Sequence, residues 1–443
     1  MSSTIAKRLS DKKKSSSQGN RTNYEISEKT KCTTMWVYAF IVLLSAFIFN
    51  TPYEIFNGLL KIATDPSILV SDYMEIANIG AALFNSGLLI IICLLIIKKS
   101  GTKFSGLIIA AILTVGGFAL FGKNIYNIWS ILLGVKLYSS FKGEKFSKNI
   151  VVALFGTAIA PIISQVSFGL GFPIIAGVIV GNLLGCFAGF ILPPLAQHFV
   201  KFHQGFNLYN MGFTAGVVGM LFMSVFRVLG IENEKRMILS SGNNEILGIY
   251  LFALFTTMII VGFIMNNKTF DGLKDLLNHT GKGEDFIATN GFGITLVNMG
   301  MLGFAATIYV LLANGQLNGP TIGGIYTVAG FAGFGKHVKN TVPVMLGIVI
   351  VSMLTPWEIN SLGVLLAALF GTTLAPIAGE FGWKSGILAG FLHMAVVMNV
   401  GYLHGGMNLY NHGLAGGLVA GILIPILYSV RENKQNKVKS SHA

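Results

Sequence analysis

Long apolar stretches, separated by short polar ones, run along almost the whole chain. Three of them, residues 149–200, 286–335 and 385–430, contain no Asp, Glu, Lys or Arg. A helix needs only about 20 apolar residues to cross a bilayer, so each stretch is long enough for more than one crossing. The pattern therefore predicts an all-α, polytopic membrane protein.

The second half of the chain repeats the first half. A shift of 213 residues aligns residues 72–134 with residues 285–347 without a gap, and it places "ANIGAALFNSGLL" on "NGFGITLVNMGML". With small gaps the match continues from "ALFGTAIAPI" to "ALFGTTLAPI" and from "HQGFNLYNMGFTAG" to "HGGMNLYNHGLAGG". Such self-similarity marks a duplicated structural unit. The predicted parts are a basic tail at 1–33, repeat one at 34–230, a linker at 231–245, repeat two at 246–430 and a basic tail at 431–443.

Each repeat contains seven apolar segments, which in repeat one are residues 35–50, 76–97, 104–122, 125–138, 149–163, 171–195 and 206–226. The third and fourth are short enough to form a re-entrant or broken hairpin instead of two crossings. Each repeat therefore has about five to seven membrane segments, and with or without the hairpin the number of crossings is odd. An odd number predicts that repeat two crosses the bilayer in the opposite direction to repeat one.

Basic clusters allow a separate test of this inversion, because Lys and Arg gather on the cytoplasmic side. With both termini inside, the "KKSGTK" loop and Lys142, Lys145 and Lys148 lie inside, as do Lys336 and Lys339 in the inverted copy. The acid-bearing loops "TPYEIF" and "TPWEINS" then lie outside. No signal peptide is visible. The sequence thus predicts a multi-pass protein of the cell membrane with both termini in the cytoplasm.

The amino-acid composition supports a membrane protein and argues against a soluble, a nucleic-acid-binding or a disulfide-rich protein. Charged residues make up 11% of the chain, against about 25% in soluble domains. Much of the net charge of +13 lies in the tails, which favours cytoplasmic tails beside a lipid bilayer over a nucleic-acid partner. The three cysteines are too scattered for a disulfide framework or a zinc site, and we expect no metal and no cofactor. Assembly into a homo-oligomer is left open.

The duplicated motif H-x-G-x-N-L-Y-N-x-G places unusual polarity between the last two segments of each repeat. Its glycines permit a helix break, and the freed backbone groups then need water, solute or side-chain partners. Its polar side chains either cap and join helices or line a solute path, and an amide suits both roles because it donates and accepts hydrogen bonds. The four pairs are His203 and His404, Asn207 and Asn408, Tyr209 and Tyr410, and Asn210 and Asn411.

Other polar residues recur at matching positions in the two repeats. Asn85 and Asn298 lie in the second segment of each copy, and Thr157 and Thr372 lie before a proline in "GTAIAP" and "GTTLAP", where they can face the same path. The pair Lys123 and Lys336 ends the third segment. A cation at a helix C-terminus is favoured by the helix dipole, and the alternative is that the two lysines flank an anion path at opposite mouths.

The sequence lacks the residues that several functional classes require. Glu380 is the only acid inside the predicted spans, so the carboxylate that usually couples transport to an ion is missing. The chain has no GxxxxGK[ST] motif and no catalytic cluster, so we expect neither an ATP motor nor an enzyme. We predict a channel or transporter that passes a small polar solute, uncharged or anionic, through a central path between the repeats. The alternatives are a proton-coupled carrier using His203 or His404, a membrane enzyme acting on lipid, and a scaffold or sensor.

The pair "GFNLYNMGFTAG" and "GMNLYNHGLAGG", with "ALFGT[AT][IL]AP", resembles an uncharacterised bacterial membrane family that is known only as a domain of unknown function. The resemblance covers residues 34–430 and implies the two-repeat architecture. The inverted halves and "NGPTIGGIYTVAGF" are also similar in style to the urea transporters. The L-P-x-x-T-L-P-F-N signature of those transporters is absent, so no urea-binding residue is carried over to this chain.

Overall fold

The computed structural model describes residues 26–440, so residues 1–25 of the predicted tail at 1–33 and residues 441–443 of the predicted tail at 431–443 lie outside the described residues. Within 26–440 the regular elements are helical, and strand pairing is limited to two isolated bridges. In repeat one the main helices are α1 Glu28–Phe49, α2 Pro52–Thr64, α3 Ile79–Ser100, α4 Gly106–Phe118, α5 Trp129–Phe141, α6 Ile150–Gly156, α7 Ile174–Phe202 and α8 Asn210–Val228. In repeat two they are α9 Asn244–Met265, α10 Phe292–Leu312, α11 Gly319–Phe331, α12 Val338–Leu354, α13 Leu362–Gly371, α14 Ala375–Phe381, α15 Trp383–Val400 and α16 Asn411–Ser440.

Within the described range, nine helical stretches are long and apolar enough to cross a membrane. A tenth is the pair Phe146–Ile159 and Pro161–Gly169, which is bent by 41°. Each repeat thus has five long stretches and one hairpin of shorter helices, α4–α5 in repeat one and α11–α12 in repeat two. The predicted all-α, multi-pass architecture with two tandem repeats is confirmed.

Some predicted ends differ from the structure. Helix α1 begins at Glu28, inside the predicted tail, and α16 continues to Ser440. The "TPYEIF" segment is not a loop, because it begins α2 with a capping box: the Thr51 hydroxyl accepts from the Glu54 amide, and the Glu54 carboxylate accepts from the Thr51 amide at 2.8 Å. Pro52 then occupies the first turn, where its missing N–H costs no helical hydrogen bond.

Helices α4 and α11 cross at the centre of the bundle and run antiparallel. The start of α4 at Gly106 approaches Gly333 just beyond the end of α11, while the start of α11 at Gly319 approaches Leu120 just beyond the end of α4. Between these ends the backbones nearly touch, since a Cβ atom on Gly117 would lie 2.7 Å from the Gly323 carbonyl oxygen. Glycine at such a crossing allows the close approach on which helix packing in membranes depends.

Each repeat caps the central helix of the other repeat. The Asp285 carboxylate of repeat two accepts a hydrogen bond from the Gly106 amide at 3.0 Å, at the start of α4. The Asp72 carboxylate of repeat one accepts from the Gly319 amide at 3.1 Å, at the start of α11. An acidic side chain at a helix N-terminus satisfies free amides and complements the helix dipole. These crossed caps fix the register of the antiparallel pair.

Candidate functional site

The first half of the candidate site surrounds Lys336, which follows the end of α11. Its ammonium group is fully buried and donates hydrogen bonds to the Tyr209 hydroxyl and, at 2.7 Å, to the Thr372 hydroxyl. It also lies 4.4 Å from the centre of the Tyr209 ring, within range of a cation–π interaction. Tyr209 belongs to repeat one and the other two residues belong to repeat two, so this site lies between the repeats.

The second half surrounds Lys123, the repeat-one equivalent of Lys336. Lys123 is also fully buried, but its ammonium nitrogen has no hydrogen-bond partner among the described residues. It lies 5.1 Å from the centre of the Phe118 ring. The hydroxyl of Tyr410, the equivalent of Tyr209, pairs with Thr114 at 3.4 Å instead. Thr157 donates to the Leu154 carbonyl, as Thr372 donates to the Leu369 carbonyl, but Thr157 accepts no hydrogen bond from Lys123.

Neither lysine has the carboxylate partner that a buried ammonium usually requires. No Asp or Glu of the described residues forms an ion pair with Lys123 or Lys336. Burial without a partner disfavours the charged form of a lysine, so a negative charge that arrives beside either position would stabilise its ammonium form. The prediction that the lysines stand at opposite mouths needs correction in one respect, since both are enclosed. Each follows the C-terminus of its helix, so they lie at opposite ends of the antiparallel α4–α11 pair.

Six aromatic rings fill the centre between the two lysines. Tyr209 and Tyr410 meet with ring centroids 4.8 Å apart, Tyr209 packs on Phe331 at 4.6 Å, and Tyr410 packs on Phe118 at 4.6 Å. The arrangement repeats in the outer pair, because Phe155 contacts Phe331 at 5.6 Å and Phe370 contacts Phe118 at 5.7 Å. All six rings are buried. The central path that the sequence predicts to be lined by hydrogen-bonding groups is therefore closed here by aromatic side chains.

A cavity of about 240 Å³ reaches this aromatic centre from one end of the bundle. It extends from the end at which α4 begins and α7 finishes, and it stops at the rings of Tyr209 and Tyr410. Asn207 and Asn210 are the amides in its wall. A cavity of this size can hold a small solute, and it brings that solute to the Tyr209 ring, on which Lys336 lies.

Asn207 and Asn408 occupy equivalent positions but have different partners. The Asn207 amide donates to the Gly413 carbonyl at 3.0 Å, and its oxygen accepts from the Thr373 hydroxyl at 2.6 Å and from the Tyr209 amide at 3.1 Å. The Asn408 oxygen accepts from the Tyr410 amide, but its amide nitrogen has no partner within the described chain. Repeat one has Ala158 where repeat two has Thr373, so no hydroxyl is available to Asn408.

The motif histidines are held in the same way in both repeats. His203 Nε2 lies 2.9 Å from the Asn210 side-chain oxygen, and His404 Nε2 lies 2.8 Å from that of Asn411. Both histidines are fully buried. Each asparagine amide donates to a carbonyl of the preceding long helix, Ala196 for Asn210 and Val397 for Asn411. These four side chains thus join the helix break to α7 or α15, and the cavity reaches only Asn210 among them.

Asn85 and Asn298 shape the hairpins and do not touch the cavity. The Asn85 amide donates to the carbonyls of Ala119 and Lys123 at 2.7 and 2.8 Å, and Asn298 makes the two equivalent bonds to Ala332 and Lys336 at 2.8 Å. A carbonyl at the end of a helix has no partner within that helix, so these amides satisfy it. They hold the backbone of each buried lysine in place.

A segment outside the hairpin packs beside each lysine. Next to Lys123, the Asn124 amide donates to the Ile62 carbonyl at 2.9 Å, near the end of α2. Asp65, which follows α2, forms an ion pair with Arg236 of the linker. On the Lys336 side, His337 Nε2 lies 2.9 Å from the His279 carbonyl.

Sequence reasoning missed Asp72, which ties the linker to α11. It binds the Ser240 hydroxyl at 2.7 Å as well as the Gly319 amide. Burial raises the pKa of Asp72, and its hydrogen bonds from Ser240, Met74 and Gly319 oppose that shift. The gapless pairing of Asp72 with Asp285 in the repeat alignment was the signal that could have found both caps.

The described residues contain no group of three or more His, Cys, Asp or Glu side chains placed to hold a metal ion.

Within residues 26–440, nine apolar helices, one bent helix pair and a duplicated hairpin define a helical, multi-pass membrane protein built from two tandem units. The chain belongs to the family described as "Protein of unknown function (DUF1576)", whose family model matches residues 51–228 and 265–429. These two regions correspond to the two repeats and include both lysine sites. No curated protein and no solved structure matches the chain.

Proposed function

We propose that this protein transports a small anion across the cell membrane through a path between its two repeats. The observation that carries the proposal is the pair of buried lysines, Lys123 and Lys336, which lack carboxylate partners and lie on either side of the aromatic centre. At Lys336 the remaining ammonium N–H and the Tyr209 hydroxyl can donate to an anion, and no carboxylate of the described residues competes for them. The Thr372 hydroxyl accepts from Lys336 and donates to the Leu369 carbonyl, so it holds the ammonium in place. This narrows the predicted solute from uncharged or anionic to anionic.

The antiparallel crossing of α4 and α11 supports an inverted arrangement of the repeats. Two helices of equivalent sequence that cross antiparallel, with exchanged caps at Gly106 and Gly319, are what a twofold axis in the membrane plane would produce. With Lys98, Lys99 and Lys103 on the cytoplasmic side, both termini are cytoplasmic. Lys336 then lies nearer the cytoplasm and Lys123 nearer the outside.

The cavity supports a route rather than a static ion site. It starts at the end of the bundle that carries Lys103 and Lys201, which is the cytoplasmic end in this orientation, and it finishes at Tyr209. The rings beyond Tyr209 close the way to Lys123. The structure is then an inward-facing, centrally closed state, and transport requires the Tyr209–Tyr410 contact to open. Transporters with inverted repeats achieve this by moving one unit against the other.

The test uses purified full-length protein in liposomes clamped with valinomycin. Swelling or uptake is followed in potassium formate, acetate, nitrate and chloride, with urea and glycerol as uncharged solutes. We expect anion-selective flux that Lys336→Met and Lys123→Met each reduce at least tenfold, a loss of about 1.4 kcal/mol in the transition state. The matched control is Lys99→Met, which removes an exposed lysine and leaves the flux unchanged.

Equal flux in wild type and both buried-lysine variants would contradict the anion site. Flux of urea or glycerol alone would replace the anion by an uncharged solute. Conversion of added lipid without any solute flux would favour the membrane enzyme instead.

A further inference from the structure

Two histidines outside the duplicated lysine sites form a buried pair in repeat two. His393 on α15 and His412 on α16 face each other with Nε2 of the first 3.3 Å from Nδ1 of the second. His393 is fully buried and His412 is 7% exposed, and the remaining ring nitrogen of His393, Nδ1, has no partner among the described residues. Two neutral imidazoles share only one hydrogen bond here, and the Nδ1 atom of His393 is buried without a partner in the described chain.

Repeat one has no such pair. The alignment that places His404 on His203 places His393 on Leu192 and His412 on Met211. Packing confirms the equivalence, because Gly156 lies against Leu192 and Met211, while its partner Gly371 lies against His393. An apolar pair therefore fills this position in one repeat without loss of the fold. Packing alone does not require histidine in the other.

The pair lies directly behind the Lys336 site. The His412 ring stacks on Phe370 with centroids 5.2 Å apart and an angle of 19°, and Phe370 is one of the six central rings. His393 lies against Gly371, which immediately precedes Thr372, the hydroxyl that accepts from Lys336. A change of charge on the pair thus acts on the short segment that carries half of the anion site.

The surroundings offer the pair no counter-charge. The titratable groups acting on His412 are His393 and, from the helix break, His404. Tyr209 and Lys336 lie on the other side of this segment, at the Thr372 hydroxyl. The Glu380–Arg431 ion pair joins α14 and α16 far from the histidines, because Arg431 lies about 28 Å along α16 from His412. A proton on the pair would therefore be stabilised only by an anion that arrives nearby.

A metal between the two rings fits poorly. A bound zinc needs three or four protein ligands, and the described residues contain no group of three or more His, Cys, Asp or Glu side chains that could hold an ion. The two facing nitrogens are 3.3 Å apart and share one hydrogen bond. An added proton therefore goes to a ring nitrogen that this bond leaves free.

We propose that the His393–His412 pair binds one proton together with the anion held at Lys336, so that the protein moves an anion and a proton in the same direction. This rests on the proposed anion transport. One ring takes the proton on its free nitrogen and keeps the hydrogen bond to its partner, which shares the positive charge. The bound anion favours the proton, and the proton favours the anion by the same factor.

The test combines a direct readout of the proton with a readout of transport. Histidine is labelled with ¹⁵N in full-length protein in nanodiscs, and spectra are recorded from pH 8 to pH 5 in potassium nitrate and in potassium gluconate. We expect the signals of His393 and His412 to titrate together as one site, at higher pH in nitrate than in gluconate. Independent titration of the two rings, or no effect of nitrate, would overturn the proposal.

The transport readout follows internal pH in proteoliposomes during an inward nitrate gradient. We expect acidification in the wild type and at least a tenfold smaller acidification in His393→Leu/His412→Met, which restores the repeat-one residues. The control is His198→Leu at an exposed position. Should the double variant fail to fold, His393→Gln replaces it. Acidification equal to wild type in the folded variant would overturn the proposal. Absence of nitrate flux in the wild type would count against the proposed function, and the spectra would still decide the proton site.

Discussion

Lys336 and Lys123 share nearly the same sequence surroundings and yet differ in their contacts. Lys336 is bound by the hydroxyls of Tyr209 and Thr372, whereas Lys123 is left without a hydrogen-bond partner in the described structure. The equivalent tyrosine, Tyr410, turns to Thr114 instead. Thus one set of residue types takes two arrangements within a single molecule.

A duplicated site of this kind provides two alternative arrangements of the same residue types. If the two arrangements have similar free energies, a modest ligand preference is enough to exchange them, because a ligand shifts an equilibrium only by its differential affinity. The aromatic centre links the two sites, since Tyr209 and Tyr410 are in ring contact. A movement that freed Tyr209 from Lys336 would therefore also move Tyr410. The following variants test how unequal the two halves are.

The largest difference is expected at the crossed caps. Asp72→Ala should lower the free energy of unfolding by about 4 kcal/mol, because several buried donors lose their common carboxylate acceptor at once. Asp285→Ala should cost about 1–2 kcal/mol, the range for loss of a helix cap, since Asp285 is only half-buried. Unfolding in mixed detergent gives both values, with the exposed Asp271→Ala as control. Equal costs would mean that the two caps contribute equally to the stability of the protein.

The second largest difference in the free energy of unfolding is expected between the two motif asparagines. Asn207→Leu removes the hydrogen bonds from the Thr373 hydroxyl and the Tyr209 amide and the bond to the Gly413 carbonyl. The Tyr209 amide keeps its bond to the Thr373 oxygen, but the Thr373 hydroxyl proton loses its acceptor, and we expect a cost of about 2–3 kcal/mol. Asn408→Leu removes a single bond and should cost about 1 kcal/mol. A double-mutant cycle that combines Asn207→Leu with Thr373→Ala sharpens the comparison, because alanine at position 373 gives Asn207 the same neighbour that Asn408 has in Ala158. A cost of Asn207→Leu that is unchanged in the Thr373→Ala background would show that the hydroxyl is not the cause.

A smaller difference is expected at the two tyrosines. Tyr209→Phe removes an acceptor from the Lys336 ammonium and should cost about 1.5 kcal/mol, the low end for a hydrogen bond to a charged group. Tyr410→Phe removes only a long contact to Thr114 and should cost about 0.5 kcal/mol or less. Thermal unfolding of the detergent-purified variants measures both. Equal losses would indicate that both halves adopt the Lys336 arrangement for equal times.

The smallest difference is expected at the motif histidines, where the two repeats agree. His203→Leu and His404→Leu each remove one hydrogen bond, to Asn210 and Asn411, and each should cost about 1 kcal/mol. The same unfolding assay applies. A difference of more than about 1 kcal/mol between the two variants would contradict the equivalence of the helix breaks in the two repeats.

Much of the architecture could be predicted from the pattern of apolar residues and the internal repeat. Seven segments per repeat correspond to five long stretches and a hairpin of shorter helices, because burial in lipid imposes helices and a minimum length. The exception is α2, where the "TPYEIF" segment has a capping box that favours a helix over a loop. That local signal was present in the sequence.

The candidate site could be predicted only in part. Repetition singled out Lys123, Lys336, Tyr209 and the motif amides, since a polar residue kept in both copies of an apolar segment needs a reason. It could not show that Tyr209 of one repeat reaches Lys336 of the other, or that Asp72 caps α11. Such contacts depend on the way in which two distant helices cross.

The sequence by itself thus determined the membrane class, the duplication and the polar residue types that recur at equivalent positions in the two repeats. Only the tertiary structure decided which copy of each residue is satisfied, that six rings close the centre, and that His393 meets His412. The physical reason is range. Hydropathy acts along the chain within one helix, whereas the partner of a buried polar group is chosen by three-dimensional packing, and two equivalent positions can then find different partners.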